Sequence, residues 1–258
     1  MRLMKRILSA AAVLALSASL LVGCSSGTAS SVPVSASSAA ESTVSSVEET
    51  ASSAVDENEA AAAQLLNDLT GSYQELWPVI LADEYKQTWL DDCTALVGED
   101  NAEAAFEKLS SMVTGDVYGE DAVEAYANGG GAYFCGFTND LATLTFDGAT
   151  STISGTDKDG NVLFSHTYHY IGMEPVRGLY EFQSDDADSG EFTYFFLAPD
   201  TSAETYHIEF RYGSDAEALS QYDTGEYAYW LASGISTDCD QTMIDNCIEL
   251  FCTENLAG

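Results

Sequence analysis

The chain has 258 residues and carries 42 acidic against 8 basic side chains, a formal net charge of −34. Phosphate backbones are gripped by clustered Lys and Arg, so this charge excludes nucleic acid as a partner and opposes docking of the folded part on an anionic lipid surface. The roughly 200 residues beyond the N-terminal segment are enough for one domain with a substantial core.

The N-terminus has three zones. Arg2, Lys5 and Arg6 are followed by an apolar run from Ile7 to Leu21, and then by Leu21-Val22-Gly23-Cys24. A basic start, a short apolar core and a small residue before the break describe a secretory signal over residues 1–23. The apolar run is shorter than the roughly 20 residues that a spanning helix needs. Leu-Val-Gly-Cys resembles the lipobox of bacterial lipoproteins, which implies diacylglycerol on the Cys24 sulfur, cleavage before it, and an extracytoplasmic chain lipid-anchored to the cell membrane. Residues 24–55 are nearly all Ser, Ala, Val, Thr and Glu. Such a stretch cannot bury enough surface to offset its ordering entropy and reads as a disordered tether. Without the signal, the basic residues are Lys86, Lys108, Lys158, Arg177 and Arg211.

Residues 56–258 read as the folded domain. Asp56 can cap a helix through Ala60 to Leu69, with Leu65, Leu66 and Leu69 on one face. Tyr73, Leu76 and Trp77 continue the apolar face, Pro78 can open a helical turn, and Ala102 to Met112 is amphipathic. After Gly129-Gly130-Gly131 the period changes. Strands are expected at 132–137, 142–146, 150–155, 162–171, 179–183, 191–197 and 205–212, with Asp147-Gly148 and Asp159-Gly160 as turns. Helices are expected again at 216–222, 227–232 and 240–253. The fold class is therefore mainly β with α: an antiparallel barrel flanked by N- and C-terminal helices. Cys93, Cys135, Cys239, Cys247 and Cys252 are an odd set whose pairing is open, with a local or C-terminal staple expected.

Ordered segments of this domain resemble the ZinT (YodA) family of extracytoplasmic zinc-binding proteins. The opening is Leu69-Thr70-Gly71-Ser72-Tyr73-Gln74-Glu75-Leu76-Trp77-Pro78. Phe164-Ser165-His166-Thr167-Tyr168-His169-Tyr170-Ile171-Gly172 resembles the family's central strand. Ala198-Pro199-Asp200, Thr205-Tyr206-His207-Ile208-Glu209-Phe210 and Gly213-Ser214-Asp215-Ala216-Glu217-Ala218-Leu219 follow in family order. The resemblance implies a lipocalin-like (calycin) barrel, zinc as the bound ion, and delivery to a metal ABC importer. It also implies a three-His zinc site whose positions here hold Phe195, Thr205 and His207, and a disulfide whose positions hold His166 and Gln183.

With two of those three ligands replaced, the candidate metal residues are His207, Glu209, His166 and His169. Thr205, His207, Glu209 and Arg211 share one strand face, and the resemblance turns that face into the barrel mouth. His166 and His169 point to opposite faces of their strand, so only one of them can join. A structural reading pairs Arg211 with Glu209. The acidic run Asp185 to Glu191 has the oxygen density of a calcium loop without its EF-hand order. No catalytic residue is indicated, since no nucleophile elbow, zinc-protease helix or phosphate loop is present. The expected function is zinc or divalent-cation binding. The alternative is a small organic ligand in the mouth, lined by Tyr168, Tyr170, Tyr194 and Phe196.

Overall fold

A computed structural model of the chain describes residues 57–198 and 207–257. The signal segment, Cys24, the tether, the Asp56 cap, and Pro199, Asp200, Thr205 and Tyr206 of the quoted motifs lie outside the described residues.

Helix α1 (57–68) leads into β1 (Gly71–Glu75), then α2 (Leu76–Ile80), α3 (Lys86–Val97), α4 (Glu99–Val113) and α5 (Glu120–Ala127). The strands β2 (Thr143–Asp147), β3 (Thr152–Thr156), β4 (Val162–Met173), β5 (Tyr180–Ser184), β6 (Tyr194–Leu197) and β7 (His207–Gly213) follow. The short α6 (Ala216–Leu219), β8 (Ala232–Ser236) and α7 (Gln241–Leu256) end the described chain. The strands pair in chain order, all antiparallel, and β8 returns to β1, so the barrel is closed. This is the lipocalin-like barrel with flanking helices that the sequence pattern suggests.

Turn chemistry explains the hairpins. At the β2–β3 turn the Asp147 carboxylate accepts the Ala149 N–H at 3.1 Å. Between β3 and β4, Asp157 accepts the backbone N–H groups of Asp159 and Asn161, each at 2.9 Å, and the Asn161 side-chain amide at 2.8 Å. Those donors, the Asn161 side chain foremost, hold the Asp157 carboxyl below the usual carboxylate range.

Register assigns each strand residue to the bore or to the outside. One row running round the inside is Phe146, Ile153 and His166, with Tyr73, Leu144, Gly155 and Phe164 in the row beside it. On the far wall, Tyr170, Phe182, Phe195 and Tyr212 face inward, as do Leu197, Phe210 and Ala232. The rings of Phe195 and Tyr212 stack at 5.4 Å, and Tyr168 meets Phe195 edge-on at 5.4 Å. The space is so full that a Cβ on Gly155 would lie 2.4 Å from both Leu141 and Phe164. Leu65 and Leu66 of α1 and Leu69 just after it join this core, as do Phe137 and Leu141 of the segment before β2. Among the described residues the bore is filled by packed side chains. Of the aromatics expected to line a mouth, Tyr168 and Tyr170 do face inward, whereas Tyr194 and Phe196 alternate to the outside.

A second core lies outside the barrel. Trp89, Cys93, Leu109, Ile244, Ile248 and Cys252 pack together with Ile235 of β8. Trp89 donates its indole N–H to the Ile80 carbonyl at 2.7 Å, and Asp240 starts α7 by accepting the Met243 N–H at 3.0 Å.

Three elements differ from the sequence pattern. Gly71–Glu75 is strand β1, not a continuation of helix, because it supplies the closing partner for both β2 and β8. Residues 132–137 form only isolated bridges at Phe134, to Thr114 and Trp230; their groups go to capping contacts, such as the Phe137 N–H donated to Glu75 at 2.6 Å. Residues 227–232 are not helical. They turn through Tyr229, at φ 56°, into β8.

That turn is held by Arg211. It is fully buried on the outer face of β7 and donates to the carbonyls of Leu219, Gln221 and Tyr227. Its guanidinium lies 4.4 Å from the Tyr222 ring. Burial brings its pKa down to about 10, still charged at neutral pH. Arg211→Met should remove these side-chain donors and cost about 3–5 kcal/mol, a fall in Tm of about 10 °C by circular dichroism. An unchanged Tm would show that the 219–231 segment does not depend on this side chain.

Candidate functional site

β4 carries two of the three histidines, one on each face. His166 sits on the inner face opposite Ile153, its ring 5.9 Å from that of Phe164. His169 sits on the outer face opposite Gln183. The turn after β5 provides both with carboxylates. His166 Nδ1 is 2.7 Å from Asp186 Oδ2, and His169 Nδ1 is 2.7 Å from Asp185 Oδ1. The turn is itself fixed. The Asp185 N–H donates to the Thr167 carbonyl at 2.8 Å, the Asp186 N–H donates to Ser184 Oγ at 3.1 Å, and the Ser189 hydroxyl donates to Ser184 Oγ at 2.8 Å.

An ionised carboxylate only accepts, so in each neutral imidazole Nδ1 carries the proton and Nε2 keeps its lone pair. A carboxylate partner on the far nitrogen is the arrangement that orients histidines for metal ligation. His166 is mostly sheltered, with 16% of its side chain exposed, whereas His169 is 52% exposed. The acidic run does not converge as a calcium loop would. Asp185 and Asp186 diverge to opposite faces of the β4–β5 ladder, and each is taken by a histidine.

The other two candidates lie elsewhere. His207 stands opposite Ile235 and Glu209 opposite Ser233, on the outer face of β7 beside the helical core. The alternation expected for β7 holds, but its sense is reversed: Ile208, Phe210 and Tyr212 fill the bore, and His207 and Glu209 do not face a mouth. β5 and β6 separate β7 from β4, about 14 Å around the sheet at the usual strand spacing. The ring therefore does not bring His166 or His169 to His207 and Glu209. Among the described residues, no group of three or more His, Cys, Asp or Glu side chains is placed to hold one metal ion.

Other positions named from the family resemblance also part company. Phe195 is fully buried in the bore. The strand residue His166 faces Asp186 rather than Gln183, which pairs with His169. Glu209 is near Cys135, whose thiol is pushed up to about 12 by burial first and by the Glu209 charge second.

Sequence reasoning missed Asp185 and Asp186 as histidine partners. Their acidity was visible, but the cross-strand register that delivers them was not. It also missed a cavity of about 330 Å³ outside the barrel, lined by Glu75, Trp77, Leu81, Val113, Phe134 and Cys135 among others. The buried Trp77 indole N–H has no oxygen or nitrogen acceptor among the described residues and faces the Cys135 sulfur.

No known family and no curated protein matches the sequence. Among solved structures, the chain is similar to the Zn(II)-bound ZinT-like domain of Streptococcus pneumoniae AdcA, with a TM-score of 0.45 and 16% identity over 71% of this chain and 89% of that one. It is also similar to Zn(II)-bound AdcA from Streptococcus pneumoniae, with a TM-score of 0.43 and 14% identity over 72% of this chain but 35% of that one. The chain thus spans about a third of the length of that second structure.

The carboxylate pairs predict the tautomers. Long-range ¹⁵N–¹H spectra at neutral pH should show His166 and His169 with the proton on Nδ1. Asp186→Asn should redistribute the His166 proton while leaving His169 unchanged, and Asp185→Asn should do the reverse. Neutral rings with the proton on Nε2 and none on Nδ1 in the unmodified protein would rule the arrangement out.

Proposed function

We propose that this is an extracytoplasmic, lipid-anchored protein that binds zinc or a similar divalent cation, for capture, buffering or delivery to a metal importer, and that it is not an enzyme. The carrying observation is the pair of carboxylate-held histidines, His166–Asp186 and His169–Asp185, each leaving Nε2 as a ligand atom. The net charge of −34 supports the reading, because such a field concentrates cations near the surface. Location rests on the basic start, the apolar run and Cys24. Imidazole nitrogen and carboxylate oxygen both suit zinc. His166 and His169 lie on opposite faces of one strand, so they serve different ions. Each site then fills its coordination with water, and the affinity is modest. His207 and Glu209 form a separate candidate on β7.

Elemental analysis of protein purified without chelator, followed by zinc titration calorimetry, tests this. Zinc should bind with heat that His166→Ala, His169→Ala and His207→Ala each reduce for their own site. Binding should weaken on acidification, because protons compete for Nε2. The absence of any Kd tighter than about 100 µM, equivalent to about 5.5 kcal/mol, would defeat the proposal.

A small organic ligand is the second reading, moved from the filled bore to the outer cavity beside Trp77. There the indole N–H and the Glu75 carboxylate are polar handles on an otherwise apolar wall. An organic molecule that co-purifies in native mass spectrometry and is lost in Trp77→Phe would favour it over the metal.

A further inference from the structure

Two cysteines meet inside the helical core. Cys93 of α3 and Cys252 of α7 are fully buried, and their sulfur atoms are 3.9 Å apart. We propose that Cys93 and Cys252 are the partners of a disulfide that ties α3 to α7 when the chain folds under oxidising conditions. The inference does not rest on the metal reading.

A disulfide needs the sulfurs at about 2.05 Å. The remaining approach of about 2 Å is within reach of side-chain rotation and a small helix shift. The aromatic frame already holds the helices together: Phe251, next to Cys252, meets Trp77 at 4.8 Å and Trp89 at 6.0 Å. The other described cysteines have different surroundings. Cys135 lies by Trp77, Ser233 and Glu209. Cys247, inside α7, lies near Cys239, which precedes that helix.

Burial also fixes when the bond can form. It raises both thiols above the ordinary cysteine range, with the Asp92 charge adding to Cys93 and the nearby Cys93 adding to Cys252. Thiolate is the reactive species, so oxidation is faster while the chain folds than once the reduced pair is buried. The oxidant is a disulfide donor, either a small-molecule disulfide or a thiol oxidoreductase. With glutathione disulfide, the thiolate of one cysteine attacks a glutathione sulfur and expels one glutathione thiolate. The second cysteine thiolate then attacks the mixed disulfide and expels the other. Two protein thiols lose two protons and two electrons, and one glutathione disulfide becomes two glutathiones. The closed loop is long, since the partners are 159 positions apart, and long loops gain most from a cross-link in the chain-entropy account.

The test refolds the reduced, denatured full chain with glutathione disulfide, blocks remaining thiols with N-ethylmaleimide in denaturant, and maps the digest by mass spectrometry. A Cys93–Cys252 linked peptide is expected, with Cys135 alkylated. The oxidised protein should melt about 10 °C above the same protein refolded in reductant. Cys93→Ser and Cys252→Ser should each lose that difference, while Cys239→Ser keeps it. Alkylation of both Cys93 and Cys252 in the wild-type chain, or linkage of either to another cysteine, would overturn the proposal even if the variants fold poorly.

Discussion

Once β8 pairs back onto β1, every strand residue has two destinations, the bore or the outside. A one-residue slip in any strand would exchange them all. The bore decides the register because it is lined with rings that cannot be left in water. Phe146, Phe182, Phe195, Phe210 and Tyr212 are all fully buried, and burying such a side chain is worth about 1.5–3 kcal/mol apiece. The polar positions follow from that choice. His207, Glu209 and Arg211 take the outside of β7 because Ile208, Phe210 and Tyr212 have taken the inside. On β4 the same rule sends His166 inward and His169 outward.

The outside is layered as well. Over β8 lies the helical core, and over β7 the 219–231 segment is fastened by Arg211. Near that fastening, Arg177 lies 4.1 Å from the same Tyr222 ring. The buried Glu174 carboxylate accepts the N–H groups of Val176 and Arg177 at 2.7 and 2.6 Å. Two of the chain's few cations are thus spent on structure around one tyrosine, with a single carboxylate in their midst. The acidic residues that remain outside are left largely uncompensated, which is why the molecule's field favours cations.

Much of this fold is legible in the sequence. Strands β2 to β7 announce themselves through alternation and through turns such as Asp147-Gly148, where local chemistry and long-range pairing agree. β1 and β8 do not. Gly-Ser-Tyr-Gln-Glu and Ala-Ser-Gly-Ile-Ser hold few branched or aromatic residues, and each becomes a strand because the ring needs it closed. The histidines were visible as candidates, but alternation alone gives two faces without saying which is inner. The answer for β7 came from the bulk of Phe210 and Tyr212. Asp185 and Asp186 are ordinary turn acids until the β4–β5 register sets them beside imidazoles.

β4 is more than twice as long as the strands on either side of it. β3 pairs with its first half, from Val162 to Thr167, and β5 with its second, from Tyr168 to Met173. Each half therefore has one margin with no strand along it among the described residues, and Val162, Ile171 and Met173 are exposed there. Such margins are templates for the addition of a foreign strand. Two copies of this chain, each with a net charge of −34, repel one another before their margins can meet. The repulsion is screened within about 10 Å at 0.1 M salt and within about 3 Å at 1 M. The acidity that gathers cations thus also keeps the barrels apart, and its protection against self-association weakens as ionic strength rises.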